Sequence, residues 1–236
     1  MDGRRLRLAS ALTVLLGSVF LTAQTTRDIR PVTDAMLQNP DAGEWLNWRG
    51  AQNTWGYSAL NQINKQNVGR LQLAWSWALN VGASQPAPLV HDGVMFIPNP
   101  GGGVQALDAT NGDLLWQYKR DYERADRAVE PMRSIAIYGD KVFVNTADAH
   151  IVALNVKTGA VVWDHQVADN ALGYEYTSGP IIAKGKVVAG MTGCTRYKED
   201  VCFISAHDPN TGREVWRPRR WQNPENRAAT LGATCR

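Results

Sequence analysis

Several things are scarce in this sequence. It holds three cysteines and four histidines in 236 residues. None lies in a C-x-x-C-H arrangement, so the chain carries no attachment site for a c-type haem. The histidines His91, His150, His165 and His207 lack ligand spacing and read as structural. There is one long apolar run, Leu8 to Leu21, too short for a comfortable membrane span, and no second one follows. Helical periodicity is almost absent, which excludes bundles and helical solenoids. The one helix the pattern predicts is weak and partly polar, at Asn64–Gly69. The body of the chain has no net positive charge. Of the net +3, residues 1–23 carry +2 and residues 217–236 carry +4, leaving −3 between them, so no nucleic-acid surface is expected.

The two ends differ from the body. Arg4, Arg5 and Arg7 precede the apolar run and Ala23 offers a small residue after it, so residues 1–23 read as a secretory signal. No cysteine follows the run, so a lipid anchor is not expected, and no membrane span is expected once the signal is removed. Residues 24–44 form an N-terminal extension, and the patterned body spans 45–217.

That body repeats. Ala106-Leu107-Asp108-Ala109-Thr110-Asn111-Gly112-Asp113-Leu114-Leu115-Trp116 returns as Ala153–Trp163 and again as Ala206–Trp216. Each copy reads as a short strand, a turn opened by Asp or Asn and eased by Gly, and a second strand ending on Trp. Further strands precede each copy, at Gly93–Ile97, Gly139–Val144 and Gly185–Val188, and before them at Ala87–Val90, Ser134–Tyr138 and Pro180–Ala183. Four antiparallel strands per repeat of about 50 residues predict an all-β fold, a partial β-propeller of about three to four blades. The tryptophans fall where they would dock one sheet on the next.

Within this frame, Trp48-Arg49-Gly50, Gly56–Asn64, Asn67-Val68, Leu73-Ala74-Trp75 and Ala87–Met95 resemble the entry segment of the PQQ-dependent (quinoprotein) alcohol dehydrogenases, and the Thr-Gly-x-x-x-Trp repeats match that family's docking motif. The resemblance runs from about Trp45 to Trp216. It implies a periplasmic, eight-bladed propeller that binds pyrroloquinoline quinone (PQQ) with Ca²⁺ or a lanthanide. It implies hydride transfer from an alcohol to the quinone, and a periplasmic electron acceptor such as a cytochrome c. Carried over residue by residue, Arg133 fits the arginine facing the quinone carbonyls, where a permanent guanidinium stabilises reduced oxygens; otherwise it is a blade-edge arginine. Thr177 fits a threonine bonding a cofactor carboxylate, or else a threonine paired across its sheet.

The sequence also departs from the family. Arg127 and Ala128 stand where two adjacent cysteines often cover one face of the cofactor. Gln85 replaces a glutamate, and in the Gly-x-x-Gly-x stretch that includes Gly193, Thr195 aligns with a metal-ligating glutamate. Threonine is a poor hard-cation ligand; Glu199 or Asp200 could substitute, or form a solvated acidic loop. In an oxidising compartment Cys194 and Cys202 could pair across the polar loop between them, contributing roughly 2–3 kcal/mol. The tail, 218–236, breaks the repeat. Codons exist for it that, read two bases on, give a Gly-Gly-Asp-Thr-Trp-Gly segment typical of the family, so a frame shift is expected. The family's catalytic aspartate belongs to later blades, and the chain by itself is expected to be inactive. The rival reading is a non-enzymatic PQQ-like propeller serving as an envelope scaffold or binding module; such propellers share the repeats but lack the entry segment.

Overall fold

The computed structural model describes residues 28–83, 85, 87–123, 125–192 and 203–218. Its framework is three four-stranded antiparallel sheets, each built in chain order. The first holds β1 (Leu89–His91), β2 (Val94–Asn99), β3 (Gly103–Asp108) and β4 (Leu114–Tyr118). The second holds β5 (Ala136–Tyr138), β6 (Lys141–Asn145), β7 (His150–Asn155) and β8 (Val161–Gln166). The third holds β9 (Ile181–Ala183), β10 (Lys186–Gly190), β11 (Ile204–His207) and β12 (Glu214–Trp216).

The repeated motif makes the same local structure three times. Asp108, Asn155 and Asp208 each turn a side-chain oxygen onto the amide two residues on, at 2.8, 2.9 and 3.0 Å. Such Asx turns substitute for backbone pairing where the chain reverses. The amides of Gly112, Gly159 and Gly212 then bond the backbone carbonyls of those same residues. Each hairpin also carries its register shift at one place, between Ala106 and Leu107, Ala153 and Leu154, and Ala206 and His207. The shift adds local twist just before the turn.

Those glycines explain how the sheets stack. A β-carbon on Gly159 would sit 2.5 Å from the Trp116 ring, and one on Gly212 would sit 2.7 Å from Trp163. The indole N–H of Trp116 donates to the Val156 carbonyl at 3.0 Å, and that of Trp163 to the Pro209 carbonyl at 3.0 Å. Each tryptophan thus stands within the last strand of one sheet and lies on the turn of the next. That strand runs on past it, to Tyr118 or Gln166, rather than ending on it as expected. The structure adds a member that the repeat did not reveal. Trp75 lies on Gly112, 2.8 Å from a β-carbon built there, and its indole donates to the Ala109 carbonyl at 3.2 Å. Trp216, at the same position of the third motif, is 45% exposed and docks on nothing among the described residues.

Residues 28–47 strap the three sheets together. Val32 pairs with Gly139 of the β5–β6 turn, Trp45 pairs with Val90 of β1, and Asp34 Oδ1 accepts from the Gly185 amide of the β9–β10 turn at 3.2 Å. One short helix, α1 (Asp34–Gln38), lies in this strap, capped by Thr33 and burying Leu37. Its five residues are too few for a period to register. The helix expected at Asn64–Gly69 is instead a turn followed by a single 3₁₀ turn at Val68–Arg70. Asn64 and Asn67 bond neighbouring backbone groups there, competing with helical pairing.

The core is densest in the middle sheet, where every residue of β6 is buried. Among the described residues no helix is long and apolar enough to cross a membrane.

Candidate cofactor-binding cleft

The inner strands β5 and β9 meet closely. A β-carbon on Gly179 would collide with the Ser134 backbone, so only glycine permits this approach. Just ahead of these strands the chain opens a small, shallow cleft. Its lining comes from Glu130 to Arg133 before β5, Asn145 at the end of β6 and Ala147 beyond it, Tyr176 to Ser178 before β9, and Gly101 and Gly102 after β2.

Two side chains hold the cleft in shape. Arg133 donates through Nη1 to the Thr177 carbonyl. Asn145 donates through Nδ2 to the Ser178 carbonyl at 2.9 Å. The middle sheet therefore grips the segment entering the third sheet at two successive carbonyls. Arg133 and Thr177, both selected from sequence, meet here. Gln85 is exposed and lies outside the lining. Gly193, Thr195, Glu199, Cys194 and Cys202 lie outside the described residues.

Sequence reasoning missed Asn145 and the glycine pair. Asn145 ends the apolar run Val142-Phe143-Val144, and a lone polar residue closing a buried strand was the signal available. Gly101, at φ +70°, approaches Ala128 so closely that any side chain would strike its carbonyl, and its amide donates to the Glu130 carbonyl at 2.8 Å. The run Gly101-Gly102-Gly103 marked that approach.

At one edge of the cleft, Arg127 reaches Glu175 at 2.7 Å and Glu130 at 4.0 Å. The Glu175 carboxylate, ahead of an opposing burial effect, raises the Arg127 pKa above its ordinary value. An ion-paired arginine thus stands at one of the two positions, Arg127 and Ala128, where the family often has a cysteine pair. Burial pushes the Tyr176 hydroxyl upward in pKa, so Tyr176 presents a neutral phenol.

Among the described residues, one trio of acidic and histidine side chains lies close enough to hold a metal ion: Glu44, His91 and Asp92. It is already satisfied. Arg30 bonds Asp92 at 2.6 Å and lies 3.5 Å from Glu44, while buried His91 spans Glu44 Oε2 and the Arg30 carbonyl, each at 2.8 Å. A guanidinium stands where a cation would bind. A larger depression lies beside Lys119 and Arg120. Arg120 is committed to Asp148 at 2.7 Å and Asp164 at 2.8 Å.

Four-stranded sheets stacked through Trp-on-Gly contacts, with a polar cleft at the mouth of the inner strands, define a propeller of the quinoprotein type. The chain belongs to the family of PQQ-dependent glucose, ethanol and alcohol dehydrogenase β-propeller domains, whose model matches residues 45–234. It is 36% identical over 180 residues to the quinohemoprotein alcohol dehydrogenase ADH IIB of Pseudomonas putida, covering 74% of this chain and 26% of that protein. It is 38% identical over 196 residues to the dehydrogenase subunit of the quinone alcohol dehydrogenase of Gluconobacter oxydans, covering 78% and 26%. Among solved structures, the quinohemoprotein alcohol dehydrogenase ADHIIG from Pseudomonas putida superposes with a TM-score of 0.71 at 34% identity, over 81% of this chain and 29% of that one. A europium-containing methanol dehydrogenase superposes at 0.68 and 29% identity, over 81% and 34%. The chain thus spans about a quarter to a third of the length of these relatives.

Proposed function

We propose that this chain forms the N-terminal portion of a periplasmic PQQ-dependent alcohol dehydrogenase and supplies one wall of its quinone site. The observation that carries the reading is the Arg133 guanidinium, fixed at the mouth of the inner strands by the Thr177 carbonyl.

The lining suits an anionic quinone. Arg133 keeps donors beyond the one spent on Thr177, and a planar, permanently charged fork matches carbonyl and carboxylate oxygens. The Asn145 side-chain carbonyl is buried and unpartnered. Gly101 and Gly102 bring backbone to the edge of the cleft without side chains.

When bound, PQQ supplies a carbonyl that accepts hydride from an alcohol carbon. Arg133 stabilises negative charge that develops on oxygen at the cleft, and its tether to Thr177 means that little reorganisation is needed. Asn145, gripping Ser178, fixes the next residue of the same segment. The Tyr176 phenol is neutral, so the Glu130 carboxylate is the one negative charge that the Arg133 guanidinium faces in the lining.

A metal does not fit the described lining. Glu130 is the one carboxylate in it, and hard cations take six or more oxygen ligands. The Ca²⁺ or lanthanide expected from the family would draw on Thr195, Glu199 or residues beyond those described. The reading implies a periplasmic electron acceptor such as a cytochrome c.

Equilibrium dialysis of PQQ against the purified chain tests the reading. Saturable binding at one equivalent is expected, weakened at least about tenfold by Arg133→Ala, the scale of losing a hydrogen bond to a charged group. Absent binding, or binding indifferent to Arg133→Ala, would overturn it.

A further inference from the structure

We infer that Asn111 is a site of spontaneous deamidation by attack of the Gly112 nitrogen on its side-chain amide, and that the docking of Trp75 on Gly112 gates the reaction.

Asn111-Gly112 is the single Asn-Gly step in the sequence. Such a step is chemically weak, because a residue without a β-carbon leaves its nitrogen open to the preceding side chain and lets the backbone reach the cyclising geometry. The other two motifs carry threonine here, Thr158 before Gly159 and Thr211 before Gly212. Asn111 plays the same part in its turn. Its Oδ1 accepts from the Asp113 amide at 3.0 Å, as the Thr158 hydroxyl accepts from the Ala160 amide at 3.3 Å. The turn does not require asparagine, yet it must restrain a reactive amide.

In the closed turn both reactants are held. The Gly112 N–H is spent on the Asp108 carbonyl at 2.8 Å, and Asn111 Nδ2 donates to Asp113 Oδ2 at 2.7 Å. Trp75 presses on this arrangement, its ring over Gly112 and its indole N–H on the Ala109 carbonyl. Trp75 itself is lightly held. Its extended segment belongs to none of the three sheets. Trp77 fastens it to Gln105 at 3.1 Å, and the Asn80 amide to Asn99 at 3.2 Å. Side-chain contacts of this kind open more readily than a backbone ladder.

When the segment lifts, the Gly112 nitrogen bonds to Asn111 Cγ and the bond from Cγ to the side-chain nitrogen breaks. Ammonia leaves with the former Gly112 amide proton. Water then opens the cyclic imide at either carbonyl, giving aspartate or isoaspartate; Asn111 is exposed, so water has access. Either product spoils the turn. Aspartate sets a carboxylate against Asp113 where an amide had donated. Isoaspartate adds a methylene to the backbone and shifts Gly112 from beneath the ring. A transient release of Trp75 thereby becomes permanent.

Peptide mapping by mass spectrometry of the intact chain, incubated at mildly alkaline pH, follows the reaction. Because slow chemistry tracks the open population, unfolding in guanidinium chloride should speed deamidation at Asn111 at least about a hundredfold, and Trp75→Ala at least about tenfold. Asn111→Thr should abolish the modification and unfold at the same denaturant concentration as the wild type. An unfolded chain that stays intact at Asn111 would overturn the site. Equal rates in folded and unfolded chains, or a folded Trp75→Ala chain that reacts no faster than the wild type, would overturn the gate. Should Trp75→Ala not fold, the wild-type rate at denaturant concentrations below global unfolding decides. A rise there supports the gate, and a flat rate up to the global transition overturns it.

Discussion

Trp116 and Trp216 occupy the same position of the same motif, yet the first is 7% exposed and the second 45%. Their own strands do not account for the difference. Trp116 ends on a neighbouring turn that offers a glycine and a free carbonyl, Gly159 and Val156. Trp216 meets no such turn among the described residues. The central strands of the sheets show a milder form of the same contrast. β6 and β7 of the middle sheet are buried almost throughout, whereas β10 and β11 of the third sheet keep several residues half-buried or exposed. In a propeller a blade is stabilised by its neighbours as much as by its own pairing, so identical sequence yields unequal energy.

This contrast can be broken directly. Trp116→Ala should cost about 3–5 kcal/mol in urea denaturation, the usual scale for deleting a buried aromatic. Trp216→Ala, removing a half-exposed ring, should cost less than about 1 kcal/mol in the same 236-residue chain. Equal losses would contradict the account.

Gly159→Ala attacks the docking turn from the other side. The added carbon would press on the Trp116 ring, and φ is +70° there, so about 2–3 kcal/mol should be lost. A loss no larger than about 0.5 kcal/mol would mean that the ring can move away.

Arg120→Met sharpens the view of the middle sheet's rim. It would leave Asp148 and Asp164 facing each other without their shared guanidinium, whose side chain is 9% exposed. Both carboxylates are partly solvated, so the expected loss is about 1–2 kcal/mol, below that for a fully buried pair. It should shrink in Asp164→Asn, the cycle that isolates the coupling.

The smallest effect belongs to the third sheet. His207 is fully buried between the Gly212 carbonyl and the Ser205 hydroxyl, and burial lowers its pKa below the ordinary 6.5. The unfolded chain therefore takes up the proton first. Stability should fall as pH drops below about 6.5 and level off once the folded-state pKa is passed. His207→Gln should flatten that part of a pH series of melting temperatures; an unchanged slope would assign it to another group.

The repeat made the sheets legible because its glycine and tryptophan act locally and recur. Ala206 to Trp216 reads correctly despite Pro209, because Asp208 and Gly212 fix the turn. Trp75 hid its role because its own segment lacks the motif, and the glycine it covers belongs to the next sheet. Arg133 and Thr177 were legible through family resemblance, yet their contact was not, since it joins residues 44 apart in sequence. Asn145 was illegible for the same reason: its partner at Ser178 and its unpaired oxygen arise only when two sheets meet. The ion pair of Arg127 with Glu175 likewise depends on residues 48 apart.

Amide hydrogen exchange with and without PQQ tests the central claim most directly. Without ligand, β6 and β7 should exchange slowest, and β12 with the extended Leu71–Asn80 segment fastest. With PQQ, added protection should concentrate at residues 132–134, 145–147 and 176–178. Protection elsewhere, or none at these three segments, would contradict the placement of the quinone against Arg133 and Asn145.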